Sequence, residues 1–158
     1  MKKIKWGIIG LGNVAYEFAK AFKLLKSAEL IGIASKNPDK IDRFKEEFKI
    51  KKKYCFSSYE SLLKNPDIDI VYIALPNSLH CEWIINSLEE KKKVLVEKPA
   101  TINFSQIENI KKRFEKKEIF FTEAFMYMYH PQTKKILEKI NNGEIWKLIS
   151  MESNFGHD

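Results

Sequence analysis

The sequence predicts an α/β fold: a doubly wound parallel sheet with helices on both faces, followed by the start of a second α/β unit. Short apolar runs alternate regularly with longer amphipathic ones, the pattern of strands joined by crossover helices. The first junction, Gly10-Leu11-Gly12-Asn13-Val14-Ala15, is a glycine-rich turn that leaves a strand and opens a helix.

Ile4 to Ile9 is expected as the first strand, and Val14, Phe18, Ala21, Phe22 and Leu25 recur behind it at helical spacing. Leu30 to Ala34 makes a second, continuous strand. Asn37-Pro38-Asp39 places a capping residue and an early proline ahead of Ile41, Phe44 and Phe48, a helix stripe ending near Lys49. Tyr54 to Ser57 reads as a weak third strand. Asp69 to Leu75 is the most strand-like run of all, β-branched and bounded by Asn65-Pro66-Asp67 and Pro76-Asn77-Ser78, which suits a buried central strand. Asn77 or Ser78 is placed to cap a helix carrying Leu79, Trp83, Ile84 and Leu88. Val94-Leu95-Val96 supplies a fifth strand, Ile107, Ile110 and Phe114 mark the next helix, and Ile119 to Thr122 is a sixth strand. Residues 1–124 thus hold the strand complement of a two-half dinucleotide fold, expected in the order 3-2-1-4-5-6.

The pattern then changes. Pro131 to Ile140 reads as a helix stopped at Asn142-Gly143, and Ile145 to Phe155 as a long strand. Residues 125–158 are read as the beginning of a second domain. Its strand has no successor to pair with, and a lone edge strand tends to pair with another chain, a second copy included.

Length and charge bound the function. The 158 residues suffice for one domain and little more. The formal charge of +7 comes from lysines scattered in short runs such as Lys51-Lys52-Lys53 and Lys91-Lys92-Lys93. Without an accompanying recognition motif these read as a solvated surface and not a nucleic-acid footprint. Cys55 and Cys81 lack CxxC spacing, so no metal site or redox pair is indicated and buried thiols are expected. Lys2 and Lys3 precede an apolar stretch from Trp6 to Ala15, as in a secretory signal, but glycines and Asn13 break it and Glu17 follows. With no long apolar run, a soluble cytoplasmic protein that does not enter membranes is expected.

The glycine-rich turn is the dinucleotide fingerprint GxGxxA in its required strand–turn–helix context. Gly10 permits the tight turn, Gly12 lets backbone approach a pyrophosphate, and Ala15 lets helix and strand pack closely. The helix start at Asn13 and Val14 offers free N–H groups and positive potential to phosphate. Sites that prefer NAD carry an acidic residue near the end of the second strand, where this chain has Ser35-Lys36. A hydroxyl beside an ammonium suits a 2'-phosphate, which favours NADP over NAD; the alternative is a surface loop in which Lys36 is one more lysine. Leu75-Pro76-Asn77 closes the fourth strand at the carboxyl edge, where ligands sit in open α/β folds. One turn on, His80 either faces the cofactor or is a helix-face histidine satisfied by a neighbour. Glu97-Lys98-Pro99 ends the fifth strand on the same edge, aiming a carboxylate and an ammonium at the nicotinamide end or forming a structural ion pair.

Together, GxGxxA, Pro76-Asn77 with His80, Glu97-Lys98-Pro99 and Glu123-Ala124-Phe125-Met126-Tyr127 resemble the Gfo/Idh/MocA oxidoreductases. The form is that of the dihydrodiol dehydrogenase and glucose-fructose oxidoreductase branch, in register from Lys3 to about Phe155. The resemblance implies an amino-terminal Rossmann domain holding NADP or NAD, a larger α/β domain with an open sheet, and reversible hydride transfer on a sugar, cyclitol or related diol. It implies Lys98 as the catalytic lysine contacting substrate hydroxyl and nicotinamide, a cis peptide before Pro99, and Asn77, His80 and Glu97 bordering the cofactor. Met128 stands where the branch carries arginine, ahead of Tyr129-His130-Pro131. The family's second domain holds the His or Tyr proton donor, a motif that His130 and His157 do not match. The expectation is a member truncated after its dinucleotide domain, able to bind cofactor but lacking full turnover. A non-catalytic nucleotide-binding or interaction module, pairing through its last strand, is the alternative.

Overall fold

The structure is a computed structural model that describes residues 3–154. Its six strands are β1 (Ile4–Ile9), β2 (Ala28–Ala34), β3 (Cys55–Phe56), β4 (Ile70–Ile73), β5 (Lys93–Val96) and β6 (Phe121–Glu123). The helices are α1 (Asn13–Ala21), α2 (Pro38–Glu47), α3 (Tyr59–Leu63), α4 (Asn77–Glu89), α5 (Phe104–Phe114) and α6 (Pro131–Asn141). The strands form one sheet in the order β3-β2-β1-β4-β5-β6, as expected, and every pairing is parallel.

β4 lies at the centre, and all its residues are buried because helices cover both faces. Side chains alternate across a strand, so Val71 and Ile73 enter one core with Leu62, Ile68, Ile84, Val94, Ile110 and Phe114, from α3 to α5. Tyr72 enters the opposite core with Ile8, Leu11, Ala15, Ala19 and Phe44, beneath α1 and α2. Ala15 and Ala19 are small enough to bring α1 close against the sheet, and both are fully enclosed.

Local signals set most helix starts. Asn37 caps α2, its side chain accepting from Lys40 N at 3.2 Å, with Pro38 in the first turn. Asn103 caps α5 in the same way through Gln106 N. α4 departs from the expectation: Pro76 occupies the cap position and no side chain caps the helix. Asn77 and Ser78 are therefore already helical, and their side chains are not in the extended geometry from which a cap reaches forward. α1 ends at Ala21 and tightens into a 3-10 turn over Phe22–Leu24, short of the predicted Leu25. α3 has no counterpart in the periodicity because five residues make little more than one turn; its signal was Ser58, whose Oγ accepts from Ser61 N.

The chain divides into two compact units after Ala124. In the second, His130 caps α6 through Nδ1, which accepts from Gln132 N at 3.2 Å, and Pro131 starts the helix. The predicted strand from Ile145 is not formed as far as Asn154, and Phe155 lies outside the described residues. A strand exists only as a hydrogen-bonded pair, and among the described residues nothing pairs with this segment.

Two composition-based expectations also change. Cys55 and Cys81 are half-buried, not buried, free thiols, and burial pushes both thiols up from their ordinary range. Lys92 is not a surface lysine: it is 8% exposed, and its Nζ donates to the carbonyl oxygens of Asn65 at 2.7 Å and Ile68 at 2.8 Å. Among the described residues no helix is long and apolar enough to cross a membrane.

Candidate functional site

The carboxyl ends of β1, β2, β4 and β5 share one edge of the sheet, and all the candidate residues lie in the segments that leave it. The first is the turn after β1. Gly10 has φ +87°, a region that side chains resist, and a β-carbon there would run into the backbone carbonyl of Ala74. Gly10 N donates to Ala34 O at 3.1 Å and Ala74 N to Ile9 O at 2.9 Å, so β2, β1 and β4 are knitted together where the turn begins.

Gly12 is the reverse case. A β-carbon on it would meet no atom within 4 Å, so the space before α1 is open. Gly12 caps α1 without a side-chain hydrogen bond, and the first turn carries no acidic residue. The early N–H groups of the helix, at the exposed residues Asn13 and Val14, thus face open space without a side-chain acceptor. This is the arrangement that accepts an anion.

After β2, Ser35 is buried, with Oγ accepting from Asn37 N at 3.1 Å while its own N–H donates to Phe56 O. The Ser35 hydroxyl shapes the turn and retains a proton to donate. Lys36 is exposed, its Nζ 5.9 Å over the ring of Tyr59.

His80 does not face the edge. It is fully buried, with Nδ1 2.7 Å from Pro99 O and Nε2 2.8 Å from Leu75 O. A neutral ring donates to one such carbonyl and a protonated ring to both. Of the two sequence readings, the satisfied histidine is the one observed: His80 acts from behind, tying the end of β4 to the segment after β5. Leu75 is likewise buried, whereas Asn77 is exposed at the edge.

Glu97 and Lys98 do not pair with each other among the described residues. Glu97 is half-buried, and its carboxylate accepts from the hydroxyl of Tyr72 at 2.5 Å. Burial and the neighbouring Glu97 carboxylate push Tyr72 well above the ordinary tyrosine range, so the phenol remains the donor. Lys98 is exposed, the peptide to Pro99 is cis, and Ala100 N donates to Glu123 Oε1 at 2.7 Å.

Sequence reasoning did not single out Tyr72 within the strand from Asp69 to Leu75 and noted Glu123 only as part of a motif. The available signal was the tyrosine itself, since a buried phenol needs a partner and a central strand offers no water. Among the described residues no cluster of His, Cys, Asp or Glu is suited to a metal ion.

Known proteins resemble this chain in sequence and fold. The family model for the GFO_IDH_MocA oxidoreductase family, NAD-binding Rossmann fold, matches residues 4–125. The dTDP-3,4-didehydro-2,6-dideoxy-alpha-D-glucose 3-reductase of Actinomadura kijaniata is 33% identical over 153 residues, covering 96% of this chain and 45% of that protein. The trans-1,2-dihydrobenzene-1,2-diol dehydrogenase of Mus musculus is 28% identical over 157 residues, covering 98% and 46%. Among solved structures, a 3-ketoreductase from Actinomadura kijaniata in complex with NADP and TDP-benzene superposes with a TM-score of 0.80 at 33% identity, over 90% of this chain and 43% of that one. Apo scyllo-inositol dehydrogenase from Lactobacillus casei gives 0.84 at 26% identity, over 91% and 43%. The chain spans under half the length of these relatives. Because that family model matches residues 4–125, which hold the whole sheet, the glycine turn and Glu97-Lys98-Pro99, the chain belongs to the Gfo/Idh/MocA oxidoreductase family, and these residues are its NAD-binding Rossmann fold.

Proposed function

We propose that the chain binds NADP, and NAD more weakly, along this edge as the cofactor of hydride transfer on a sugar, cyclitol or related diol. The observation that carries the proposal is the open space over Gly12 in front of an uncapped helix. A pyrophosphate fits there because nothing occupies the place of a β-carbon and the α1 N–H groups lack other acceptors. Ser35 and Lys36 suit the 2'-phosphate, one through its hydroxyl proton and the other through its charge. The solved relative with NADP bound supports that preference.

When bound, the dinucleotide supplies the nicotinamide that takes or gives the hydride. The chain supplies placement. Leu75 and Asn77 border the cofactor at the end of β4, and Glu97 does so at the end of β5. Lys98 Nζ, exposed at the same edge, donates a hydrogen bond to the substrate oxygen and so orients the carbon that exchanges hydride. Cofactor binding is assigned to these residues; full turnover is assigned to a protein that also carries the length its relatives have beyond them, because the reaction needs a water-excluded site and a proton partner. Residues 125–158 are accordingly read as the start of the substrate domain.

Titration of the chain with NADPH and NADH, by fluorescence or calorimetry, tests the proposal. Saturable NADPH binding is expected, tighter than NADH and abolished by Gly12→Asp, which puts a carboxylate in the open cradle. A folded chain that binds neither dinucleotide overturns it.

A further inference from the structure

We propose that Tyr72 and Glu123 are positioning residues for Lys98, gripping the peptide that carries it from the two strands flanking β5. The inference rests on the function proposed above, in which Lys98 orients the substrate beside the nicotinamide.

Lys98 leaves the sheet at the end of β5 and is exposed, so its own packing does little to place it. A hydrogen bond that orients a reacting group needs placement to within a fraction of an ångström. The structure supplies that placement through the neighbours on either side. Before Lys98, Glu97 N donates to Ile73 O at 3.0 Å, and the Glu97 carboxylate accepts from Tyr72 OH at 2.5 Å. After it, Ala100 N donates to Glu123 Oε1 at 2.7 Å. Glu123 is itself held, because β6 pairs with β5 through Val96 and Glu123, and Ala124 N donates to Val96 O at 2.8 Å.

Tyr72 cannot wander. It is 1% exposed and packs on Phe18 of α1, with ring centroids 4.1 Å apart. α1 is the helix whose first turn faces the proposed pyrophosphate. One side chain therefore fixes the phosphate helix and the Glu97-Lys98 peptide against each other, so both ends of the cofactor site share a rigid reference. Packing alone would be served by phenylalanine, since a phenol in a closed core gains nothing without a partner. The partner found is the residue next to Lys98.

The test measures acylation of individual lysines of the full 158-residue chain by an amine-reactive ester, read by peptide mass spectrometry, with and without saturating NADPH. In the wild type NADPH is expected to protect both Lys36 and Lys98. Tyr72→Phe and Glu123→Ala are expected to weaken NADPH binding by about three- to tenfold, the loss of one hydrogen bond. At saturation they are expected to keep Lys36 protected while Lys98 becomes substantially reactive. Glu123→Gln, which retains an amide oxygen for Ala100 N, restores protection. A purely structural role would lower the unfolding midpoint and leave saturated Lys98 as protected as in the wild type, which overturns the inference. If Tyr72→Phe does not fold, Glu123→Ala against Glu123→Gln decides alone. A wild-type chain that binds no dinucleotide overturns the functional reading and this inference with it, whereas binding with unaltered protection in the variants overturns the inference only.

Discussion

Nδ1 of His80 and the carbonyl oxygen of Pro99 lie 2.7 Å apart across 19 residues of chain, while the other ring nitrogen meets Leu75 O. The imidazole thereby joins the exits of β4 and β5 without touching the open edge. His80→Leu removes the ring that holds the Leu75 and Pro99 carbonyls and leaves at least one of them without its donor. A destabilisation of about 1–3 kcal/mol is expected, read as a lower urea midpoint at unchanged slope. His80→Gln, with an amide donor, recovers part of it. An unchanged midpoint in His80→Leu would show that the clamp carries no stability.

Gly10 and Gly12 separate stability from binding. Gly10→Ala meets both a dihedral of +87° and the Ala74 carbonyl, and a loss of stability of about 1–3 kcal/mol is expected from the dihedral alone. Gly12→Ala meets neither obstacle, since its φ is −90° and its surroundings are empty. It is expected to unfold at the wild-type midpoint yet bind NADPH more weakly, because the added methyl occupies the phosphate cradle. Thermal unfolding and a titration on the same samples check both statements.

Lys36→Glu is expected to reduce NADPH affinity by roughly 10- to 100-fold while changing NADH affinity little, the scale of one charge-assisted hydrogen bond to phosphate. The effect should shrink as salt is added. Equal losses for the two dinucleotides would take the 2'-phosphate role away from Lys36.

Lys92 links stability to pH. Burial pushes its amine below the ordinary lysine value of 10.5, with Asp69 and Glu90 opposing. Between the lowered folded value and 10.5 the unfolded chain binds more protons than the folded one, so the Lys92 contribution becomes more favourable as pH rises. The neutral amine still has protons for the Asn65 and Ile68 carbonyls. The stability of the wild type relative to Lys92→Met should therefore grow as pH rises through that window towards 10.5, measured by urea unfolding of both. A difference independent of pH would contradict the lowered value.

The parts of the fold that follow from neighbouring residues were legible in the chain. β1 occupies Ile4–Ile9 as read, and the strand order follows from alternating strand and helix segments. Asn37-Pro38 starts α2 because cap and proline act within one turn. The place of Lys98 at the carboxyl edge of the sheet was legible as well, because it follows directly from the end of the β5 run. Two readings failed for want of context: Asn77 could not cap α4 once Pro76 held that place, and among the described residues the segment from Ile145 to Asn154 finds no partner to make it a strand.

The sequence by itself determined the fingerprint turn, the crossover pattern and the residue types at the carboxyl edge, since these depend on dihedral preference and periodicity over a few positions. Tertiary structure alone decided that His80 faces inward, that Tyr72 serves Glu97 and that Glu123 holds Ala100, bonds that span 19 to 25 residues. Such bonds exist only when the strands are adjacent and in one register, and a single-residue slip would turn Tyr72 to the opposite face of the sheet.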